Sequence, residues 1–243
     1  MAGGYGATAS LTGLRTLLRQ SASSAMIHLN EVKATISQGV ELVAVSKFHP
    51  ASAIQEAYDQ GQRIFGESRV QELQAKHCLL PQDIKWHFIG HLQPNKVKYI
   101  APYISLIHAV DSYKLLEEIN KQALKCGRVI PCLLELHIAQ EATKFGLSPD
   151  SCTEMLESSK WRELKGVQIA GLMCMASNTG DTAQIRSEFH TARTFFDTLK
   201  TRYFQDSPSF CQRSWGMSHD YKIAMDEGAT LVRIGTAIFG ERG

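Results

Sequence analysis

The chain has 243 residues, 44% hydrophobic and 21% charged, which is enough apolar material for a sizeable core and excludes a disordered chain. Lys and Arg number 26 against 24 Asp and Glu, a formal charge of +2 with both signs interspersed; no basic stripe is available to neutralise a phosphate backbone, so a small ligand is expected rather than nucleic acid. The six cysteines never form a C-x-x-C pair, which argues against a zinc site or a disulfide framework and for reduced thiols in the cytoplasm.

In chain order, the opening MAGGYGATAS is small and polar and lacks the basic and apolar regions of a secretory leader, so residues 1–13 are expected to be a loose tail before one domain spanning 14–243. No later segment approaches the roughly 18 apolar residues of a membrane span. Leu14, Leu17, Leu18, Met26, Leu29, Val32 and Ile36 recur mostly at steps of three and four, predicting one or two helices before the first strand.

After Glu41, short apolar runs alternate with longer amphipathic ones. The runs are LVAVS (42–46), RIFG (63–66), WHFIG (86–90), LIHAV (106–110), CLLELHI (132–138), VQIAGLMCMA (167–176), RSWGMS (213–218) and TLVRIG (230–235). Between them, Pro50 stands at a first-turn position, Gly61 and Gly127 at helix ends, Asp111 or Ser112 at a cap, and Ser148-Pro149 at another helix start. Near-continuous apolar strands separated by helices mean parallel strands covered on both faces. Eight of them in some 200 residues predict a closed (β/α)₈ TIM barrel, with an open doubly wound sheet as the alternative. No G-x-G-x-x-G follows the first strand, which counts against that alternative.

Barrel sites gather at the carboxyl ends of the strands, and phosphates often sit after the seventh and eighth. Lys47 ends the first strand, where partial desolvation would favour the neutral amine that attacks an aldehyde or ketone; a lysine there can also snorkel to solvent. WGMSHDYKIA puts Ser218 at an expected helix N-cap, and VRIGTAIFGER puts Gly235 and Thr236 at the start of a short terminal turn, together an anion pocket. A lysine facing a phosphate cradle suits pyridoxal 5′-phosphate (PLP) or a phosphorylated sugar in a Schiff-base aldolase. Arg233, two residues before Gly235 on the same face, could meet a pyridine nitrogen, which favours the first. A guanidinium does not readily surrender a proton to that nitrogen, leaving the ring a poor electron sink. His87 and His91 are four apart but flank a strand segment and Gly90 without an H-E-x-x-H glutamate, so no metal site is expected; His91, Asn95 and Lys96 are candidates for the mouth.

The blocks VAVSKFHP, RIFGESRVQE, WHFIGHLQPNK, KFGLSP, GLMCMAS and GMSHDYKIAMDEGATLVRIGTAIFGER resemble those of the pyridoxal phosphate homeostasis proteins, relatives of the alanine racemase N-terminal domain. The resemblance spans about residues 40 to 242. It implies a single (β/α)₈ barrel of PLP fold type III, with the cofactor held as a Schiff base by Lys47, its phosphate by Ser218, Gly235 and Thr236, and its ring nitrogen facing Arg233. Met217 and the neighbouring Met173 and Cys174 would pack beside the ring. Ser68 stands where many relatives have asparagine, which leaves a side-chain bond to the ring oxygen open, and Trp215 replaces an expected methionine and reads as a core residue. The implied function is cytoplasmic PLP (vitamin B6) homeostasis, holding the cofactor for recipient apo-enzymes; the alternative is a PLP-dependent amino acid racemase. A racemase needs a second base, supplied in alanine racemases by a C-terminal β-domain that this chain, ending at Gly243, is expected to lack, and the same lack points to a monomer.

Overall fold

The computed structural model describes residues 28–140 and 145–241. Eight parallel strands close into a barrel in sequence order: β1 (Glu41–Val45), β2 (Ile64–Glu67), β3 (Lys85–Phe88), β4 (Leu106–Val110), β5 (Ile130–Leu136), β6 (Val167–Cys174), β7 (Gln212–Ser214) and β8 (Leu231–Ile234). The pairing of Ala44 with Phe65 on one side of β1 and of Val43 with Arg233 on the other closes the ring. The barrel expectation therefore holds, and the open sheet falls.

Around the barrel run α1 (Leu29–Lys33), α2 (Ala51–Asp59), α3 (Val70–Leu79), α4 (Val97–Ile100), α5 (Tyr113–Lys125), α6 (Pro149–Glu157), α7 (Thr182–Tyr203), α8 (Tyr221–Asp226) and α9 (Thr236–Phe239). Local chemistry sets their ends. The Ser112 hydroxyl accepts the Leu115 N–H at 3.3 Å, Ser148 accepts Ser151 N–H at 3.1 Å, and Asp181 takes the amides of Ala183 and Gln184. Pro50 occupies the N-cap of α2, one place before the helix. Of the expected N-terminal helices, α1 buries Leu29 and Val32 and packs on α9; the tail at 1–13 and Leu14 to Met26 lie outside the described residues.

Alternation along the strands makes two apolar regions. On β5, Cys132, Leu134 and Leu136 face the helices, while Leu133 joins Val43, Leu106, Met173 and Leu231 inside the barrel. Most strands are thus apolar on both faces, which is why their runs read as continuous; β7, Gln212–Ser214, is the exception. The helix-facing core includes Ile54, Leu73, Trp86, Phe189 and Trp215, all essentially inaccessible, and Trp215 is the core residue it was expected to be.

β7 is shorter than its apolar run suggests. Gly216 has φ +95°, and a Cβ there would stand 2.6 Å from Ala224 Cβ and 2.9 Å from Tyr221 Cα, so the chain leaves the sheet two residues after Ser214. Gly216→Ala is expected to cost about 2 kcal/mol through strain and overlap, read as a lower midpoint in urea unfolding.

Candidate functional site at the barrel mouth

At the end of β1, a buried network braces the backbone on both sides of Lys47. Lys76 Nζ, from α3, donates to Ser46 O (2.8 Å), Glu67 Oε1 (2.7 Å) and Glu72 Oε1 (2.7 Å). Ser46 Oγ donates to Glu67 Oε1 at 2.6 Å, and Glu72 Oε1 also accepts the Phe48 N–H at 2.6 Å. Phe48 has φ +68°, a left-handed conformation costly for an aromatic residue, and the carboxylate on its amide holds it there. The turn right after β1 thus directs Lys47, half-buried, into a pocket of about 230 Å³ at the carboxyl ends of the strands.

The opposite wall comes from β7 and β8. Asp220 Oδ1 accepts the Met217 N–H at 2.6 Å and so ties the turn 217–220, while Ser218 Oγ accepts the Gly235 N–H at 3.3 Å. Asp220, not Ser218, is therefore the N-cap of α8, a correction to the sequence reading: the turn delays the helix and turns the Ser218 hydroxyl towards β8. A Cβ on Gly235 would come within 3.0 Å of Val45 O, so glycine lets β8 approach β1 at the pocket. The amides of Ser218, His219, Thr236 and Ala237 have no protein acceptor among the described residues.

Arg233 lines the same pocket and is 5% exposed. Its Nη1 donates to Ser214 O and Ser214 Oγ, each at 2.6 Å, and its Nη2 to Cys174 O at 3.0 Å. Burial lowers its pKa from the usual arginine value, opposed by the neighbouring Cys174, Asp220 and Glu135. Behind it, Ser214 Oγ meets His108 Nδ1 at 2.8 Å and His108 Nε2 meets His87 Nδ1 at 3.0 Å. Burial pushes His87 down to about 3 and His108 well below the ordinary value, so both rings are neutral at physiological pH.

Six of the seven predicted cofactor residues, Lys47, Met217, Ser218, Arg233, Gly235 and Thr236, line this one pocket. Ser68 does not. It packs beneath Gly90, where an added Cβ would lie 2.6 Å from Ser68 Cβ, and lines a separate hollow with Arg69, His91 and Lys96. His87 turns inward to His108 while His91 pairs outward with Asp111 at 3.2 Å, so the spacing of four does not bring their rings together. Met173 is buried inside the barrel below the mouth, and burial raises the Cys174 thiol pKa, leaving it a poor nucleophile. Val45, His49, Ile89, Met175 and His219 complete the lining and were not singled out from sequence. Val45 was within reach of it, since residues two before a strand-end site share its face.

The alanine racemase N-terminal domain family matches residues 23–243. The pyridoxal phosphate homeostasis protein of Aquifex aeolicus is 40% identical over 203 residues, covering 83% of this chain and 87% of that protein. Its counterpart from Bos taurus is 37% identical over 212 residues, 83% and 77% of the two chains. PipY of Synechococcus elongatus, solved without PLP and with PLP bound, aligns at TM-scores of 0.80 and 0.77, with 38% identity over 88% of this chain and 98% of PipY. A Clostridium difficile alanine racemase shares the fold at a TM-score of 0.69 and 15% identity, over 88% of this chain and 58% of the racemase. With these identities over more than four fifths of its length, and a barrel that gathers the blocks carrying the resemblance at one mouth, the chain belongs to the pyridoxal phosphate homeostasis protein family.

Proposed function

We propose that this chain binds pyridoxal 5′-phosphate and serves intracellular vitamin B6 homeostasis as a holder of the cofactor. The observation that carries the reading is the convergence, on one pocket, of a strand-end lysine, a set of unpartnered amides at the ends of β7 and β8, and a buried arginine. The residues fit the group. The amides of Ser218, His219 and Thr236, with the hydroxyls of Ser218 and Thr236, offer donors to a phosphate beside a glycine where a Cβ would crowd Val45. Met217, Met175, Ile89 and Val45 offer apolar surface to a ring. Bound there, the cofactor would supply an aldehyde carbon open to a neutral amine and a ring able to draw electrons.

Each residue then has a physical task. Lys47 brings the amine, aimed by the braced turn. Arg233 would donate a hydrogen bond to the ring nitrogen without giving up its proton, so the ring's electron-withdrawing power would stay weak and retention would be favoured over turnover. All six cysteines are free thiols, which suits a reducing, cytoplasmic setting; no helix among the described residues is long and apolar enough to cross a membrane. We extend the reading to a monomer with one domain over 14–243 that delivers its cofactor to apo-enzymes.

Protein incubated with PLP and desalted is expected to be yellow, with an absorbance band that Lys47→Ala abolishes. A colourless wild-type protein would remove the cofactor reading. Incubation of loaded protein with a panel of L-amino acids in deuterated water is expected to leave Cα exchange slow, and rapid exchange with formation of the D-enantiomer would replace the holder by a racemase.

A further inference from the structure

The barrel interior beneath the pocket is apolar, formed by Val43, Leu106, Leu133 and Leu231, yet Arg233, Ser214, His108 and His87 run through it as a polar line. Ser214 and His108 are fully inaccessible, and Arg233 and His87 are 5% and 6% exposed. Buried polar groups cost stability unless fully hydrogen-bonded, and apolar side chains of similar volume would fill this space at no such cost. The line therefore calls for a reason other than stability.

The donors and acceptors give it one direction. Arg233 Nη1 can only donate, so Ser214 Oγ accepts from it. The other partner of the Ser214 hydroxyl among the described residues is His108 Nδ1; the buried O–H finds its acceptor there, which makes His108 Nδ1 the acceptor. His108 then carries its proton on Nε2 and donates to His87 Nδ1, which leaves the His87 proton on Nε2. Both rings being neutral agrees with the downward pKa shifts that burial imposes. Every member acts on the next towards the interior, and none can return a proton to the guanidinium. Of the five guanidinium N–H groups, three are committed to Ser214 and Cys174, leaving two for a ligand in the pocket that Arg233 lines.

We propose that Ser214 and His108, backed by His87, are positioning residues that lock the Arg233 guanidinium in the orientation that meets the cofactor's ring nitrogen. This rests on the reading of the pocket as a PLP site. A structural brace alone would affect every ligand of the pocket alike, whereas an orienting chain affects the ligands that have a ring nitrogen to accept the bond.

The test compares the affinity of wild type, Ser214→Ala and Ser214→Thr for PLP and for its 1-deaza analogue, which has C–H in place of the ring nitrogen. Ser214→Ala is expected to weaken PLP about tenfold, the scale of one hydrogen bond to a charged group, with the deaza analogue unchanged, and Ser214→Thr to restore PLP binding. Equal weakening of both ligands, or of neither, overturns the proposal. A second measurement needs no variant: ¹⁵N NMR of the wild-type protein is expected to find His108 and His87 neutral and protonated on Nε2 from pH 5 to 8, and a proton on His108 Nδ1 overturns the chain as drawn. Failure of wild type to bind either aldehyde would instead strike the cofactor reading, while the tautomers would still report on the chain.

Discussion

Lys76→Met is expected to lower the unfolding free energy by about 3–5 kcal/mol, the usual cost of removing one partner from a buried ion pair. Lys76 is the cation beneath the Lys47 turn. Without it Glu67, fully inaccessible and already raised in pKa by burial, loses the charge that opposes that rise. Its Oε2 has no hydrogen-bond partner even with Lys76 present. The folded-state pKa of Glu67 should therefore climb further above its unfolded value. A raised carboxyl contributes stability at low pH and loses it as pH rises through the folded pKa, so the deficit of Lys76→Met should be larger at pH 8 than at pH 5. Urea unfolding at the two pH values checks both statements. Loss of the Ser46 O and Glu72 anchors would also free the strained Phe48 turn, so the variant's PLP affinity is expected to fall although Lys76 does not line the pocket.

Glu135→Gln is expected to do the opposite, stabilising the protein at pH 8 by about 3 kcal/mol. Glu135 is 4% exposed, its Oε2 has no hydrogen-bond partner, and burial, then the Asp111 carboxylate, raise its pKa to about 7 from 4.5, against the pull of Arg233. The gap of about 2.5, at roughly 1.4 kcal/mol per pKa unit, gives that figure. The sign follows from the raised value: the neutral carboxyl supports the fold below about pH 4.5, and that support is lost as pH rises to about 7 and beyond. The wild type should therefore lose about 2–3 kcal/mol between pH 5 and 8 relative to Glu135→Gln. The charged groups that act on it are Asp111 and Arg233. Parallel stability profiles for the two proteins would contradict the assignment.

Much of the architecture is legible because a doubly covered parallel strand has few sequence solutions. LIHAV at 106–110 coincides with β4, and the other runs differ from their strands mainly at the ends. β7 is the exception, since Gly216 ends the strand through a backbone angle that an apolar tally does not register. The binding side of the pocket is legible because strand-end positions carry residues a core would not select. What stays hidden is pairing across the sequence. Nothing in VQELQAKHCL announces that Lys76 reaches back 30 residues to Ser46, and nothing in LIHAV that His108 meets Ser214, 106 residues away. Glu135 sits within the apolar run CLLELHI, where periodicity alone reads as core, although a carboxylate there has to be paired, protonated or strained. Ser218 looks like a cap in sequence, but the Asp220 carboxylate takes the Met217 amide and folds 217–220 into a turn, so the helix starts two residues later.

If Lys47 is the residue that takes hold of the cofactor, reductive trapping will mark it. Protein loaded with PLP is treated with borohydride, digested and sequenced by mass spectrometry. One phosphopyridoxyl adduct is expected, on Lys47, and it disappears in Lys47→Ala. An adduct concentrated on another lysine, or undiminished in Lys47→Ala, would contradict it.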